Sequence, residues 1–191
     1  MKIGLIGDVH ANLPALEAVL DHARRQGVQA IWNTGDFVGY NAFPDAVVTL
    51  LRQRMDVTSI VGNYDQKTLQ APEKLEKWNQ RKDPRKVRAF AWAYQQLSET
   101  NRAYLGSLPE QRELGVAGWR ILLAHGSPAS INEHLFADTP EERMRELAGM
   151  TSAKIIVTGH SHQAFTRQVG DTCFLNPGSV GRPDDGDPRA A

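Results

Sequence analysis

The first sixty residues alternate between short apolar runs and amphipathic segments. An apolar run at 3–6 opens into Gly7–Asp8, which is typical of a buried strand that ends in a turn. Apolar positions three and four apart follow Asn12, predicting a helix that Asn12 caps and Gly27 stops. The alternation continues in three further elements, a strand at 30–32, a helix at 46–51 and a strand at 57–61. Two such crossovers in succession predict neighbouring parallel strands.

The rest of the chain divides into a helical part and a strand-rich part. Helical spacing from Phe90 to Leu97 predicts one helix, and Ser98 is a cap residue for another that ends near Leu108. Between 66 and 112, ten Lys and Arg face five Asp and Glu. We therefore expect a single domain, 1–191, with a basic helical insertion at about 66–112. The later pattern predicts a hairpin of two strands at 113–118 and 119–124 and a helix at 141–148. It also predicts three strands, at 155–158, 164–169 and 172–175.

Composition narrows the class of protein. The 22 Lys and Arg balance 22 Asp and Glu, so the formal net charge is zero, which argues against a protein that coats nucleic acid or an anionic membrane. The lone Cys173 forms no internal disulfide and fits a reducing compartment. The N-terminus turns polar too early for a signal peptide, and no apolar run is long enough to span a membrane. We expect a soluble, cytoplasmic protein with no stable nucleic-acid partner; a homo-oligomer is left open.

Polar side chains follow the predicted strands at the points where the strands end. Ligands of α/β sheets gather beyond the carboxyl ends of the strands, so we expect these groups to share one edge. They comprise four imidazoles, two carboxylates and one amide: Asp8, His10, Asp36, Asn63, His125, His160 and His162. Seven such groups are too many for one tetrahedral zinc and suit two divalent ions, about 3.5–4 Å apart, bridged by a carboxylate. Mixed N and O ligands favour Mn²⁺, with Fe²⁺, Ni²⁺, Co²⁺ or Zn²⁺ as alternatives.

Five short motifs stand at these strand ends, namely DVH at 8–10, GD at 35–36, GN at 62–63, HG at 125–126 and GHSH at 159–162. In order and spacing they resemble the calcineurin-like metallophosphoesterases. The stretches GDVHANLPALEAV, GDFVGYNAFP, HGSP and NPGSVGRPDDGDPRA resemble a small bacterial and archaeal phosphodiesterase-like branch of that family. The resemblance runs from Met1 to Ala191 and is loosest between 66 and 112. It implies an α/β fold, a four-layer α-β-β-α sandwich of two mixed sheets.

The resemblance also implies a ligand set and a reaction. The family pattern assigns Asp8, His10 and His162 to one ion, Asn63, His125 and His160 to the second, and Asp36 to both. A hydroxide that bridges the metals would attack phosphorus in line with the leaving group. The implied activity is hydrolysis of a small phosphoester, either a phosphodiester or a nucleotide-type compound. The alternative is a non-catalytic metal-binding scaffold of the same fold, similar to the retromer subunit.

The sequence departs from the family pattern in two places. The family usually reads GNHD or GNHE, in which the His is the proposed general acid, whereas this chain has Tyr64. A phenol with a pKa near 10 is a poorer proton donor at neutral pH. Asp65 is a candidate for orienting Tyr64 or a water molecule. Members of the family usually continue past the DGDPRA segment with closing strands, which this sequence does not contain.

The Arg of the phosphoprotein phosphatase motif GDYVDRG is absent from 35–41, which argues against that activity.

Several residues outside the ligand set allow two interpretations. Asn12 and Asn41 are candidate substrate contacts, although Asn12 also suits a helix cap. The turn at 176–179 is either structural or a substrate contact. We interpret His22 and His134 as facing solvent.

The basic stretch and its aromatic residues are also open to two interpretations. The basic residues either form a solvated helical face or contact a polyphosphate or nucleotide above the metals. The aromatic residues either pack in the core or a dimer interface or stack on a base; they are Trp78, Phe90, Trp92 and Tyr94.

Overall fold

Two β-sheets form the centre of the protein in the computed structural model, which describes residues 1–184 and 186. The first sheet contains β1 (Ile3–Ile6), β2 (Ala30–Asn33) and β3 (Val57–Ser59), in that order. The second contains β4 (Gln111–Val116), β5 (Trp119–Ala124), β6 (Ile155–Val157), β7 (Ala164–Val169) and β8 (Thr172–Pro177). Its spatial order is β4-β5-β6-β8-β7.

Helices surround the two sheets. They are α1 (Leu13–Arg25), α2 (Pro44–Arg52), α3 (Asn63–Asn79), α4 (Pro84–Gln96), α5 (Glu99–Ser107) and α6 (Glu141–Gly149). Helices α1, α2 and α6 pack on the outer faces, whereas α3 and α4 pack mainly against each other. No helix among the described residues is long and apolar enough to cross a membrane.

Successive side chains of a strand point to opposite faces of its sheet, and this alternation produces the layers of the sandwich. In β5, Ile121 and Leu123 face the first sheet and pack with Trp32 and Ile60, whereas Leu122 faces the other way. That outward side chain packs in the apolar cluster that contains Met144 of α6. On the far side, α1 and α2 pack against the outer face of the first sheet. The α/β sandwich predicted from the resemblance is therefore confirmed.

Only one of the two sheets is mixed. In the second sheet, β5, β6 and β8 are parallel, and the edge strands β4 and β7 pair antiparallel. The described strands of the first sheet all pair in parallel, so the prediction of two mixed sheets is corrected for this one. The reason is that helical crossovers through α1 and α2 return the chain in the same direction each time.

Most of the predicted elements are present, with small shifts at their ends. Asn12 caps α1, since its Oδ1 accepts a hydrogen bond from Ala15 N at 3.3 Å. Ser98 caps α5 by accepting from Asn101 N. The sequence analysis did not predict α3, because few apolar residues mark its buried face and Pro72 interrupts the pattern. The division into one domain with an insertion at about 66–112 stays a prediction.

We expect Leu123→Ala to lower the free energy of unfolding by about 2–5 kcal/mol, because the side chain is fully buried between the sheets and its loss leaves a cavity. Met55→Ala removes a fully exposed side chain and should change the free energy by less than about 0.5 kcal/mol. Urea denaturation measures both. Equal losses in the two variants would contradict the assignment of this layer as the central core.

Candidate metal centre

The residues that follow the strands leave the sheets in left-handed backbone conformations, which are uncommon for residues other than glycine. The φ angles are 51° at Asp8, 47° at His10, 54° at Asp36, 67° at His160 and 57° at His162. Main-chain hydrogen bonds hold these turns, including Asp8 N to Gly35 O at 3.0 Å and His10 N to Asp36 O at 2.9 Å. The turns therefore fix where the side chains point.

Close approach of the two sheets explains the glycine that opens the GHSH motif. A Cβ at Gly159 would lie 2.5 Å from Thr34 Oγ1 and 2.8 Å from Asp8 Oδ2. His160 N donates to the same Asp8 oxygen at 2.9 Å. The end of β6 thus packs directly on the ends of β1 and β2, which brings the two sets of polar residues together.

Two groups of three side chains each could hold a metal ion, because within each group the possible ligand atoms lie within 4.8 Å of one another. These groups are Asp8, His10 and His162, and Asp36, His125 and His160. Asp36 Oδ2 lies 3.7 Å from His10 Nε2 and 3.5 Å from His125 Nε2, so it stands between the two groups. Asn63 is buried and lines the same cavity as Asp36 and His160. All seven predicted residues are therefore at one edge of the sandwich.

Backbone carbonyls determine which nitrogen each imidazole presents. His10 Nδ1 donates to Val38 O at 3.0 Å, and His125 Nδ1 donates to Thr34 O at 2.8 Å. His162 Nδ1 likewise donates to a carbonyl, Arg182 O, at 2.8 Å. Since a carbonyl only accepts, each Nδ1 carries a proton, and Nε2 is the nitrogen that faces the carboxylates of Asp8 and Asp36. His160 is reversed, because its Nε2 donates to Asn132 O at 3.2 Å.

Several buried polar atoms at this edge lack a partner in the described part of the chain. They include Asp8 Oδ1, Asn63 Oδ1 and His125 Nε2. A buried polar atom left unsatisfied costs about 1–3 kcal/mol, so such atoms are rare in native proteins. All three are lone-pair donors of the kind that divalent cations bind. The donor set fits a metal centre.

Burial favours the neutral ring at three of the four imidazoles, which are His10, His125 and His160. At His162 burial also lowers the pKa, but the hydrogen bond and the charge of Asp8 outweigh it and raise the pKa above its usual value. Burial lowers the pKa of His10 to about 3 and that of His160 to about 3, so both rings are uncharged at neutral pH. Burial, and then the neighbouring charge of Asp8, raise the pKa of Asp36 well above its usual range. Two buried carboxylates repel each other unless positive charge lies between them.

Tyr64 lines the cavity beside the metal-ligand candidates. The cavity has a volume of about 750 Å³, and Asp36, Asn63 and His160 also line it. The Tyr64 hydroxyl is hydrogen-bonded to the Tyr40 hydroxyl. Burial, with a smaller effect of that hydrogen bond, raises the pKa of Tyr64 above its usual range.

Asp65 was predicted to orient Tyr64 or a water molecule, and this role stays a prediction. The Asp65 carboxylate is fully buried and accepts hydrogen bonds from Val38 N at 3.1 Å and from Gly62 N at 2.9 Å. It joins the loop after β2 to the start of α3. The described contacts of this carboxylate therefore give it a structural role.

Asn12 and Asn41, the two candidate substrate contacts, also have backbone partners, and their contact with substrate stays a prediction. Nδ2 of both Asn12 and Asn41 donates to Gly181 O at 3.3 Å, and Asn41 Nδ2 also donates to His10 O at 3.0 Å. Neither residue lines the cavity. These amides hold the segment around Gly181 against the turn after β1.

His134 was interpreted from the sequence as facing solvent, and the structure shows it exposed but beside the site. Its side chain is exposed, but its ring centroid lies 3.9 Å from that of His160 and it lines the cavity. No motif surrounds it in the sequence. Only the path of the loop after β5 brings it to the site.

A sandwich of two sheets that gathers imidazoles and carboxylates at one edge defines a metallohydrolase class. The sequence model of the calcineurin-like phosphoesterase superfamily domain matches residues 1–191. The chain belongs to this superfamily and is a metallophosphoesterase, as the motifs predicted.

Relatives are found in archaea and bacteria, which confirms the predicted branch. An uncharacterized protein of Methanocaldococcus jannaschii is 32% identical over 208 residues, covering 99% of this chain and 80% of that protein. Phosphodiesterase YfcE of Escherichia coli K12 is 26% identical over 202 residues, covering 100% and 85%. The crystal structure of a metallophosphoesterase from Sphaerobacter thermophilus superposes with a TM-score of 0.76 at 31% identity, covering 100% of this chain and 81% of that chain.

We expect Ser179→Ala to lower the free energy of unfolding by about 1–3 kcal/mol, because two buried hydrogen bonds are lost. Ser179 Oγ donates to Asp8 O at 2.7 Å and accepts from Arg182 N at 2.9 Å. Ser107→Ala is the matched control, since that exposed hydroxyl donates only to Tyr104 O among the described residues. Thermal or urea unfolding compares the variants; a neutral Ser179→Ala would show that the 176–182 segment does not brace the site.

Proposed function

We propose that this chain is a phosphodiesterase or nucleotide-type phosphohydrolase with a dinuclear metal centre. The observation that carries the proposal is the position of Asp36 between two groups of buried ligands, with unpartnered lone pairs beside it. Phosphodiesterase YfcE, a relative that aligns along the whole chain, supports a phosphodiester as substrate. A cytoplasmic location and a homo-oligomer stay predictions.

The residues would hold the ions in the sets that the family pattern implies. One ion would be held by Asp8, His10 and His162; the other by Asn63, His125 and His160; and Asp36 would contact both. Mn²⁺ is the favoured ion, with Fe²⁺, Ni²⁺, Co²⁺ and Zn²⁺ as alternatives. Two divalent ions supply Lewis-acid stabilisation of phosphoryl oxygens and lower the pKa of the attacking water.

The protein's own contribution is preorganisation. The carbonyl partners of His10, His125 and His162 hold each ring in one tautomer and one orientation. Burial keeps the His10 and His160 rings neutral, so no proton competes with a cation for the lone pair.

Tyr64 is our candidate proton donor to the leaving oxygen, because it is the residue after Asn63 and lines the cavity. Burial raises its pKa, so the phenol stays protonated but is a weak acid. We therefore propose slow turnover of esters with alkyl leaving groups. Leaving groups that depart as stable anions, such as nitrophenolate, need little proton donation.

A non-catalytic scaffold of the same fold is the alternative. The complete set of seven ligand candidates favours the enzyme over a scaffold without metal; a metal-binding scaffold would hold ions with the same residues, so hydrolysis is the property that separates it from the enzyme.

We expect chelator-treated protein to be inactive on bis-(p-nitrophenyl) phosphate and to recover when Mn²⁺ is added. Asp36→Asn should lower kcat/KM at least about 100-fold, because it weakens the contact shared by both ions. Asp171→Asn, at an exposed turn between β7 and β8, is the matched control and should behave as the unsubstituted protein. Nitrophenolate release and elemental analysis of bound metal measure the effects.

The outcomes separate the alternatives. Two bound ions without hydrolysis of any phosphoester would support the scaffold. Failure to bind metal at all would refute the ligand assignment.

We expect Tyr64→His to raise turnover of a glycerophosphodiester at least about tenfold, because an imidazolium is a better general acid than a phenol near neutral pH. Hydrolysis of bis-(p-nitrophenyl) phosphate should change much less. Tyr64→Phe is the matched control, since it keeps the ring and removes the hydroxyl, and it should lower turnover of the alkyl ester. If Tyr64→His brings no gain on the alkyl ester, Tyr64 is not at the proton-donor position.

A further inference from the structure

Three lysines line the cavity from the helical segment that connects β3 of the first sheet to β4 of the second. Lys67 lies on α3, Lys82 lies in the turn that follows it, and Lys86 lies on α4. All three line the cavity that also contains Asp36 and His160. The basic stretch noted in the sequence therefore does not only face solvent, since part of it forms a wall of the metal cavity.

These three positive charges have no acidic partner in the described part of the chain, where no carboxylate oxygen lies within 4.0 Å of their ammonium groups. The acid nearest in sequence, Asp83, lines the cavity but pairs with Arg85 at 3.0 Å. The surface arginines of α6 differ, because Arg143 and Arg145 both contact glutamates.

Aromatic faces hold two of the lysines in place instead. Lys67 Nζ lies 5.2 Å from the centroid of the Tyr64 ring, and Lys82 Nζ lies 5.2 Å from that of Trp78. Cation–π contacts position an ammonium group without neutralising it. The charges therefore stay available to an anion.

Keeping Lys67 at this position is unfavourable for the free protein. It is half-buried, and burial lowers its pKa; the charge of Asp36 raises the pKa, and the charges of Lys82 and Lys86 lower it further. A bound anion would remove both the desolvation and the repulsion costs.

The lysine wall and the metal-ligand candidates belong to the same cavity. Lys67, Asp36 and His134 all line it, and the His134 ring lies 3.9 Å from that of His160 between centroids. At about 750 Å³, the cavity is in the range that holds a nucleotide-sized ligand and is not limited to one phosphoester group.

We propose that Lys67, Lys82 and Lys86 form a second anion subsite, which binds a non-scissile phosphate of the substrate. The substrate class is then a nucleotide or similar compound that carries a second phosphate beside the scissile phosphoester. The inference rests on the proposed function for the scissile group. No bond forms or breaks at this subsite, which acts through charge and position alone.

Two chromogenic esters that differ by one phosphate test the subsite. They are thymidine 5′-(p-nitrophenyl phosphate) and its 3′-phosphorylated form, both assayed with Mn²⁺. The second phosphate should lower KM about tenfold in the unsubstituted protein, the size of one charge-assisted hydrogen bond. The triple variant K67Q/K82Q/K86Q should lose that difference between the two esters.

The matched control is K2Q/K74Q/K77Q, which removes the same charge from lysines outside the cavity. It should retain the difference in KM. Equal KM values in the unsubstituted protein, or the same loss in the control variant, would overturn the subsite.

If neither ester is hydrolysed, the proposed function is refuted. A binding measurement then still tests the subsite. Calorimetry compares thymidine 3′,5′-bisphosphate with thymidine 5′-monophosphate on the Mn²⁺-treated protein. The bisphosphate should bind about tenfold more tightly, and K67Q/K82Q/K86Q should abolish the preference. Equal affinities for the two nucleotides would overturn the inference whether or not the protein is an enzyme.

Discussion

The electrostatic cost of concentrating polar groups at one buried edge is the constraint on which this structure depends. Asp8 and Asp36 are both fully buried and lie on either side of His10. Their mutual repulsion, and the buried lone pairs without partners, are relieved by cations and by little else in an apolar interior. The rest of the sandwich is rigid enough to keep these buried polar groups close together, so the chain does not rearrange to separate them.

That rigidity comes from backbone contacts around the site. Left-handed turns at the strand ends are held by main-chain hydrogen bonds, and carbonyls such as Val38 O and Thr34 O set the tautomers of the imidazoles facing them. Asp65 and Ser179 brace the site from outside, one by joining the loop after β2 to α3 and the other by holding the turn after β1. The cavity beside the site has ligand atoms on one wall and lysines on another, with Tyr64 between them.

Local chemistry that repeats along the chain could be predicted. Alternation of apolar runs with amphipathic segments indicated the strands and most helices, because periodicity reports which face is buried. Asn12 and Ser98 were identified as caps, since capping depends on residues three positions away. The ligand candidates of each sheet could be predicted to lie together because they follow successive strands, and parallel strands of one sheet end at a common edge. The meeting of the two groups depends on the packing of the two sheets at Gly159. Helix α3 was not predicted because its buried face contains few apolar residues.

By itself, then, the sequence determined the α/β class, the candidate ligands and their positions at the ends of strands, since these follow from short-range patterns along the chain. Only the tertiary structure decided the partner of each polar side chain. Asp65 was found to bind backbone N–H groups of the loop after β2, Asn41 to contact Gly181, and His134 to stack on His160. The convergence of the lysines on the cavity was decided in the same way. The physical reason is that hydrogen bonds, ring contacts and charge proximity form between residues far apart in the chain, where no sequence period relates one partner to the other.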